Sequence, residues 1–187
     1  TLKLASCGKA TTRMEVRIDS PDPKTHAGEI VCRGANMMLG YYKNPEATAQ
    51  IIDVNGWLHT GDLGVMDEEG YVTVRGRSKN MLLTSSGQNI YPEEIESKLN
   101  NMPYVAESLI VLQHDKLVAL IYPDFDDAFA HGLQQNDIQK AMEVNRGELN
   151  QQLHNYCQIS KIKIHFEEFE KTAKKSIKRF MYQEAKG

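Results

Sequence analysis

Ser108-Leu109-Ile110-Val111-Leu112-Gln113, the break His114-Asp115, and Leu117-Val118-Ala119-Leu120-Ile121-Tyr122 beyond Lys116 form the stretch that decides the fold. Two nearly continuous apolar runs around a short polar turn read as a β-hairpin, and both arms are expected to be central in a small sheet. Upstream, Pro92-Glu93-Glu94-Ile95-Glu96-Ser97-Lys98-Leu99 reads as a helix. Proline suits its first position, carboxylates in the first turn complement the macrodipole, and Ile95 and Leu99 share a face. Downstream, Ile138, Met142, Leu149 and Leu153 form one stripe of a helix over 136–153, and Ile162-Lys163-Ile164-His165-Phe166 reads as a last strand. Helix, hairpin, helix and strand make a compact α+β domain.

The residues before it have a different texture. Met14-Glu15-Val16-Arg17-Ile18 alternates as a half-buried strand, and Gly28-Glu29-Ile30-Val31-Cys32-Arg33-Gly34 is a second strand beyond a proline-rich break. Asn44 followed by Pro45 marks the start of a short helix over 45–50. Residues 64–77 read as a hairpin that turns at Asp67-Glu68-Glu69-Gly70. The expected fold class is α+β: a small antiparallel β-rich subdomain, residues 1–77, followed by the compact α+β domain, residues 78–187.

Composition narrows the function classes. Of 187 residues, 41% are hydrophobic and 25% charged, and 22 Lys and Arg against 25 Asp and Glu give a net charge of −3. That argues against a globally basic nucleic-acid binder. No apolar run approaches the roughly 20 residues that span a bilayer. The first residues contain no signal-peptide core, and a chain that opens on Thr1 rather than Met is expected to be a piece of something longer. Cys7, Cys32 and Cys157 are odd in number and widely spaced, which argues against a disulfide framework and fits a reducing compartment. No cysteine or histidine spacing supports a metal site.

Three segments carry chemistry: Gly56-Trp57-Leu58-His59-Thr60-Gly61-Asp62; Gly76-Arg77-Ser78-Lys79-Asn80, continued by Gly87-Gln88-Asn89-Ile90-Tyr91-Pro92-Glu93-Glu94-Ile95-Glu96; and Lys171-Thr172-Ala173-Lys174-Lys175-Ser176-Ile177-Lys178-Arg179. In this order they resemble the late motifs of the adenylate-forming superfamily of acyl-CoA synthetases, peptide-synthetase adenylation domains and luciferases. Gly28-Glu29-Ile30 and Gly40-Tyr41-Tyr42-Lys43-Asn44-Pro45-Glu46-Ala47-Thr48 match the segment just upstream, so the resemblance covers nearly the whole chain. The wording of Val74-Arg75-Gly76-Arg77-Ser78-Lys79-Asn80 and of Ile177-Lys178-Arg179-Phe180 looks most like long-chain fatty acid–CoA ligases.

The resemblance implies roles. Asp62 would accept the ribose hydroxyls of ATP or acyl-adenylate, since a carboxylate offers two acceptor oxygens to a vicinal diol; the plainer reading is a Gly-Asp turn. Arg77 would also contact the nucleotide, through a planar fork that never deprotonates, or form a surface salt bridge. Lys79 stands at the family's hinge position, where a mobile C-terminal domain swivels between adenylate- and thioester-forming poses, or is an exposed linker lysine. Thr84-Ser85-Ser86-Gly87 resembles the loop that lines the CoA channel, with Ser86 and Gly87 beside the thiol arm, or is a surface loop.

One position departs from the pattern. The family carries Lys immediately before Ile177, where its charge stabilises adenylation, and this chain carries Ser176. A hydroxyl supplies no fixed positive charge. Lys174, Lys175 and Lys178 flank it, and a one-residue shift would present Lys175. The alternative is a basic helix start on a solvated face, because residues 161–187 hold 8 Lys and Arg against 4 Asp and Glu, a local +4. The aromatics Phe166, Phe169, Phe180 and Tyr182 are expected in the core rather than on a stacking surface.

The resemblance therefore implies the C-terminal part of an ATP-dependent fatty acid–CoA ligase that uses ATP, Mg2+ and CoA. Mg2+, triphosphate and fatty acid would be held upstream of Thr1, and the isolated piece would be inactive. The alternatives are a diverged module that senses acyl-CoA or adenylate without making it, and an adenylate-forming enzyme with a carrier-protein thiol. The partners expected are these small molecules, with no nucleic acid and at most peripheral membrane contact. The expected location is cytoplasmic, and oligomeric state is left open.

Overall fold

The computed structural model describes residues 3–183, and its contacts divide the chain into two compact units with the boundary between Asn80 and Met81. The first unit is built on a four-stranded antiparallel sheet in the order β1 (Met14–Asp19), β2 (Gly28–Gly34), β3 (Leu58–Met66), β4 (Val72–Arg77). Helix α1 (Pro45–Ile51) opens as its sequence demands, with the Asn44 side chain accepting the Ala47 N–H at 3.0 Å. The core is small: Ile18, Ile30 and Val72, with Val16 and Met66 against them. Trp57 meets two cations, the Arg17 and Arg33 guanidinium groups standing 4.4 and 4.7 Å from its ring. A 3-10 turn, Ser78–Asn80, ends this unit.

The second unit contains a three-stranded sheet in the order β7 (Val105–Gln113), β8 (Lys116–Pro123), β9 (Ile159–Ile164). The two-stranded β5 (Leu82–Leu83) and β6 (Asn89–Ile90) precede helix α2 (Pro92–Leu99), and α3 (Phe125–Ala130) and α4 (Gln135–Asn150) lie between β8 and β9. The hairpin turns on His114 and Asp115, both left-handed at φ +49° and +59°, as a two-residue turn compatible with strand twist requires. Strand β9 runs parallel to β8, so α3 and α4 form the crossover.

The hairpin arms are apolar at nearly every position because both faces are covered. Ile110, Leu117, Ala119 and Ile121 face a core with Ile95 and Leu99 of α2 and Ile138, Met142 and Leu149 of α4. The alternate residues Leu109, Val111, Val118 and Leu120 face a second cluster closed by Phe169, Ile177 and Tyr182. Only β8 is central, however; β7 lies at an edge of its sheet. An edge strand keeps such a pattern when its outward groups are capped, and the Ile110 N–H donates to Glu96 Oε1 of α2 at 2.7 Å.

Other boundaries differ from expectation. Helix α4 is closed at its start by a reciprocal Gln134–Asp137 capping box and stops at Asn150, leaving Leu153 in the following turn but still packed on the core. Strand β9 begins at Ile159, whose N–H and carbonyl are both bonded by the Asn150 side chain at 2.8 and 2.9 Å. The segment over 171–179 is not a helix start but a tight turn followed by the 3-10 helix Arg179–Met181. Of the four aromatics expected in the core, Phe169 is buried and Tyr182 packs beside it, whereas Phe166 and Phe180 are 60% and 74% exposed. No helix among the described residues is long and apolar enough to cross a membrane.

Candidate functional site

Strand β3 leaves its ladder with β2 where the motif lies. His59 pairs with Val31 and Leu63 with Glu29, so Thr60, Gly61 and Asp62 stand opposite Ile30 alone. Such a bulge re-aims the side chains it carries. Gly61 is its pivot at φ +72°. A Cβ there would meet only Arg77 Nη1, at 3.8 Å, so glycine is required by conformation and not by space.

On its other side the bulge faces the end of β4. Asp62 and Arg77 are cross-strand partners, and Arg77 Nε donates to Asp62 Oδ1 at 2.9 Å. Arg77 Nη1 also donates to the Thr60 carbonyl at 3.3 Å. The Asp62 side chain keeps 32% of its surface open, which leaves room for a carboxylate to accept hydroxyl groups from outside. Arg77 thus forms the surface ion pair of its plainer reading, whereas Gly61-Asp62 is not a turn but part of a bulge within β3. Within the bulge, Thr60 Oγ1 donates to the Ile30 carbonyl at 2.7 Å and accepts the Asp62 N–H at 3.1 Å. Glu29 Oε1 accepts the Gly61 N–H at 2.9 Å, and Glu29 Oε2 lies 2.7 Å from His59 Nδ1. Glu29, His59 and Thr60 lay inside quoted motifs without a role. Their function depends on register between distant segments, for which the only sequence signal was the motif itself.

Lys79 is exposed in the turn that ends the first unit. Ser86 and Gly87 lie in the loop between β5 and β6. Thr84 Oγ1 is 2.9 Å from Ser86 Oγ, and the Gly87 N–H donates to the Thr84 carbonyl at 3.0 Å. Gly87 has φ +79° and nothing within 4 Å of a built Cβ, so its backbone is open to approach. The loop is pinned to the hairpin turn through Asp115, whose Oδ1 accepts the Ser85 N–H at 2.8 Å and whose Oδ2 accepts Ser85 Oγ–H. These bonds hold the Asp115 carboxyl below its ordinary range, the Ser85 hydroxyl contributing most. Thr84, Ser86, Asp115, Lys116, Tyr156 and Ser160 line a cavity of about 240 Å³ here.

The third motif forms a tight loop. Lys171 and Ile177 form an antiparallel bridge, Thr172 N–H donates to the Ser176 carbonyl at 2.8 Å, and Lys175 N–H to the Thr172 carbonyl at 2.9 Å. Lys175 occupies the corner at φ +60°, a conformation suited to glycine. Sliding the chain by one residue to put Lys175 in place of Ser176 would turn Ile177 away from Leu109, Val111 and Phe169. Ser176 is the residue just before Ile177 of the bridge. Lys171 pairs with Glu107 at 2.8 Å and Lys178 with Glu170 at 3.4 Å, while among the described residues Lys174 and Lys175 have no carboxylate within ion-pairing distance.

Behind this loop is a contact that sequence reasoning missed. Arg179 Nη1 donates to Glu96 Oε1 at 2.8 Å and Arg179 Nη2 to Glu96 Oε2, with both side chains largely buried. Burial pushes the Glu96 carboxyl up, against the opposing pull of Arg179 and of the Ile110 N–H. Among the described residues no group of three or more His, Cys, Asp or Glu could hold a metal ion.

Together, the two units define an α+β protein whose β-rich part presents a carboxylate–guanidinium pair on a bulge. The model of the AMP-binding enzyme C-terminal domain matches residues 79–185. A Rhodococcus jostii (strain RHA1) 3-[(3aS,4S,7aS)-7a-methyl-1,5-dioxo-octahydro-1H-inden-4-yl]propanoyl:CoA ligase is 48% identical over 104 residues, which is 56% of this chain and 19% of that protein. A 2-succinylbenzoate–CoA ligase of Bacillus cereus is 42% identical over 113 residues, 59% of this chain and 23% of that one. Among solved structures, o-succinylbenzoate CoA synthetase (MenE) from Bacillus subtilis with its acyl-adenylate intermediate superposes with a TM-score of 0.77 at 26% identity, covering 98% of this chain and 36% of that one. The chain thus spans about a fifth of the length of these curated relatives. It belongs to the AMP-binding enzyme C-terminal domain family, the C-terminal part of the adenylate-forming superfamily.

Proposed function

We propose that this chain serves an ATP-dependent acid–CoA ligase. The substrate carboxylate attacks the α-phosphorus of ATP, pyrophosphate leaves, and the acyl-adenylate passes its acyl group to the CoA thiol with release of AMP. The observation that carries the reading is the Asp62–Arg77 pair at 2.9 Å on the β3 bulge. Asp62 accepts the ribose diol, and Arg77 holds the carboxylate and offers its remaining donors to the nucleotide. ATP would be used with Mg2+, as the resemblance to adenylate-forming enzymes implies. Lys79, in the turn Ser78–Asn80 that ends the first unit, marks the hinge between part of a larger adenylation domain and the mobile domain that follows, and Ser86 and Gly87 line the path of the thiol arm. The catalysed acid is a fatty acid, on the wording of Val74–Asn80 and Ile177–Phe180, and the location is cytoplasmic. The curated relatives act on acids as different as 2-methylpropanoate and 2-succinylbenzoate, so the acid is the part of this proposal that a substrate panel decides.

The cation for adenylation is assigned to Lys175 in its own register, one residue before Ser176, exposed at the loop corner and, among the described residues, with no carboxylate within ion-pairing distance. Acid-dependent exchange of pyrophosphate into ATP by the complete polypeptide tests the reading: fatty acids should support exchange, and absence of exchange with every acid tried would contradict it. In the same assay Lys175→Gly separates charge from fold. Relief of the left-handed corner should raise stability by about 0.5–1 kcal/mol, while exchange should fall at least tenfold. Undiminished exchange would remove Lys175 from the chemistry. The non-catalytic reading rests on Ser176, and it predicts that Ser176→Lys creates exchange where none existed.

A further inference from the structure

Three bulge residues facing one residue of β2 leave backbone groups that the ladder cannot satisfy. The pivot is glycine, the residue with the widest conformational freedom. Side chains do what the ladder does not. Thr60 Oγ1 takes the Asp62 N–H at 3.1 Å and bonds the Ile30 carbonyl at 2.7 Å. Glu29, beside Ile30 on β2, takes the Gly61 N–H on Oε1 at 2.9 Å and lies 2.7 Å from His59 Nδ1 through Oε2. With Glu29 accepting, the proton of this bond is carried by His59 Nδ1. The Glu29 and His59 side chains are 28% and 33% exposed. They fill no core, and a polar contact so placed contributes little to stability. What the pair does is geometric: Glu29 accepts the Gly61 N–H of the bulge as Thr60 accepts that of Asp62.

We propose that Glu29 is a positioning residue for nucleotide binding, bridging His59 and the Gly61 N–H so that the Asp62 carboxylate is preset for the ribose hydroxyls. This rests on the assignment of Asp62 to the ribose. Preorganisation of a loop acts on affinity for the group it presents, because the ordering cost is met before the ligand arrives.

The test uses the complete polypeptide and the ratio of kcat/KM for ATP to that for 2′-deoxy-ATP, which a merely structural role would not move. Glu29→Ala should reduce this ratio about tenfold, as expected for a misaimed charged acceptor. It should also speed exchange of the Gly61 amide hydrogen by a factor of ten or more, with the melting temperature little changed. Glu29→Gln should keep both near wild type, since its amide oxygen accepts the Gly61 N–H and its amide N–H meets the other His59 tautomer. If Asp62→Asn lowers the ratio but Glu29→Ala leaves ratio and amide exchange unchanged, the positioning role is overturned while the ribose assignment stands. An unchanged ratio in Asp62→Asn overturns the ribose assignment and this inference with it.

Discussion

Replacing Asp62 with Ala in the complete polypeptide is expected to lower kcat/KM for ATP about a hundredfold or more. A carboxylate that accepts two hydroxyl groups makes two charge-assisted hydrogen bonds, each about 1.5–3 kcal/mol, and each 1.36 kcal/mol is a factor of ten. The same substitution should barely change stability. Asp62 keeps 32% of its side-chain surface open and Arg77 54%, and exposed pairs contribute about 1 kcal/mol at most. The contrast between a large kinetic loss and a small thermal shift is the signature of a presented ligand rather than a structural pair. Equal kinetics for ATP in the variant would take Asp62 out of the site.

The second large effect is on stability. Arg179→Met leaves the Glu96 carboxylate buried without its cation and should destabilise the second unit by about 3–5 kcal/mol. Replacing both residues with Leu should recover most of the loss, since apolar packing rivals a buried ion pair. Glu96 also gives a pH dependence of definite sign. Its carboxyl lies above the ordinary value of 4.5 in the folded chain, because burial outweighs the Arg179 and Ile110 contacts. A group that holds its proton more tightly when folded contributes most at low pH, and that contribution declines as pH rises from the unfolded value through the folded one. Without Arg179 the rise in pKa grows, so the decline should steepen and extend to higher pH. Exchange of the Ile110 amide hydrogen, which Glu96 accepts at 2.7 Å, followed between about pH 5 and 8, reads both effects. An Arg179→Met protein with wild-type exchange protection would show that the pair is dispensable.

Much of the fold was legible because local chemistry and burial pattern agree. Asn44-Pro45 opens α1, and the paired apolar runs around His114-Asp115 make the hairpin. The edge position of β7 was hidden, since capping by a distant Glu96 lets an edge strand read as a central one. Basic composition over 171–179 suggested a helix, but the Lys171–Ile177 bridge and packing of Ile177 on Phe169 favour a turn. At the site, Asp62 and Arg77 stood out within motifs, and the strand register brings them together. Glu29 and Arg179 did not, because their work depends on partners 32 and 83 residues away, and sequence periodicity carries no information at that range.

A structure of the complete polypeptide with AMP bound tests the central claim most directly. The account predicts both ribose hydroxyls within hydrogen-bonding distance of Asp62, about 2.5–3.0 Å from its carboxylate oxygens, with Arg77 still engaged. AMP bound with its ribose remote from Asp62 would contradict it.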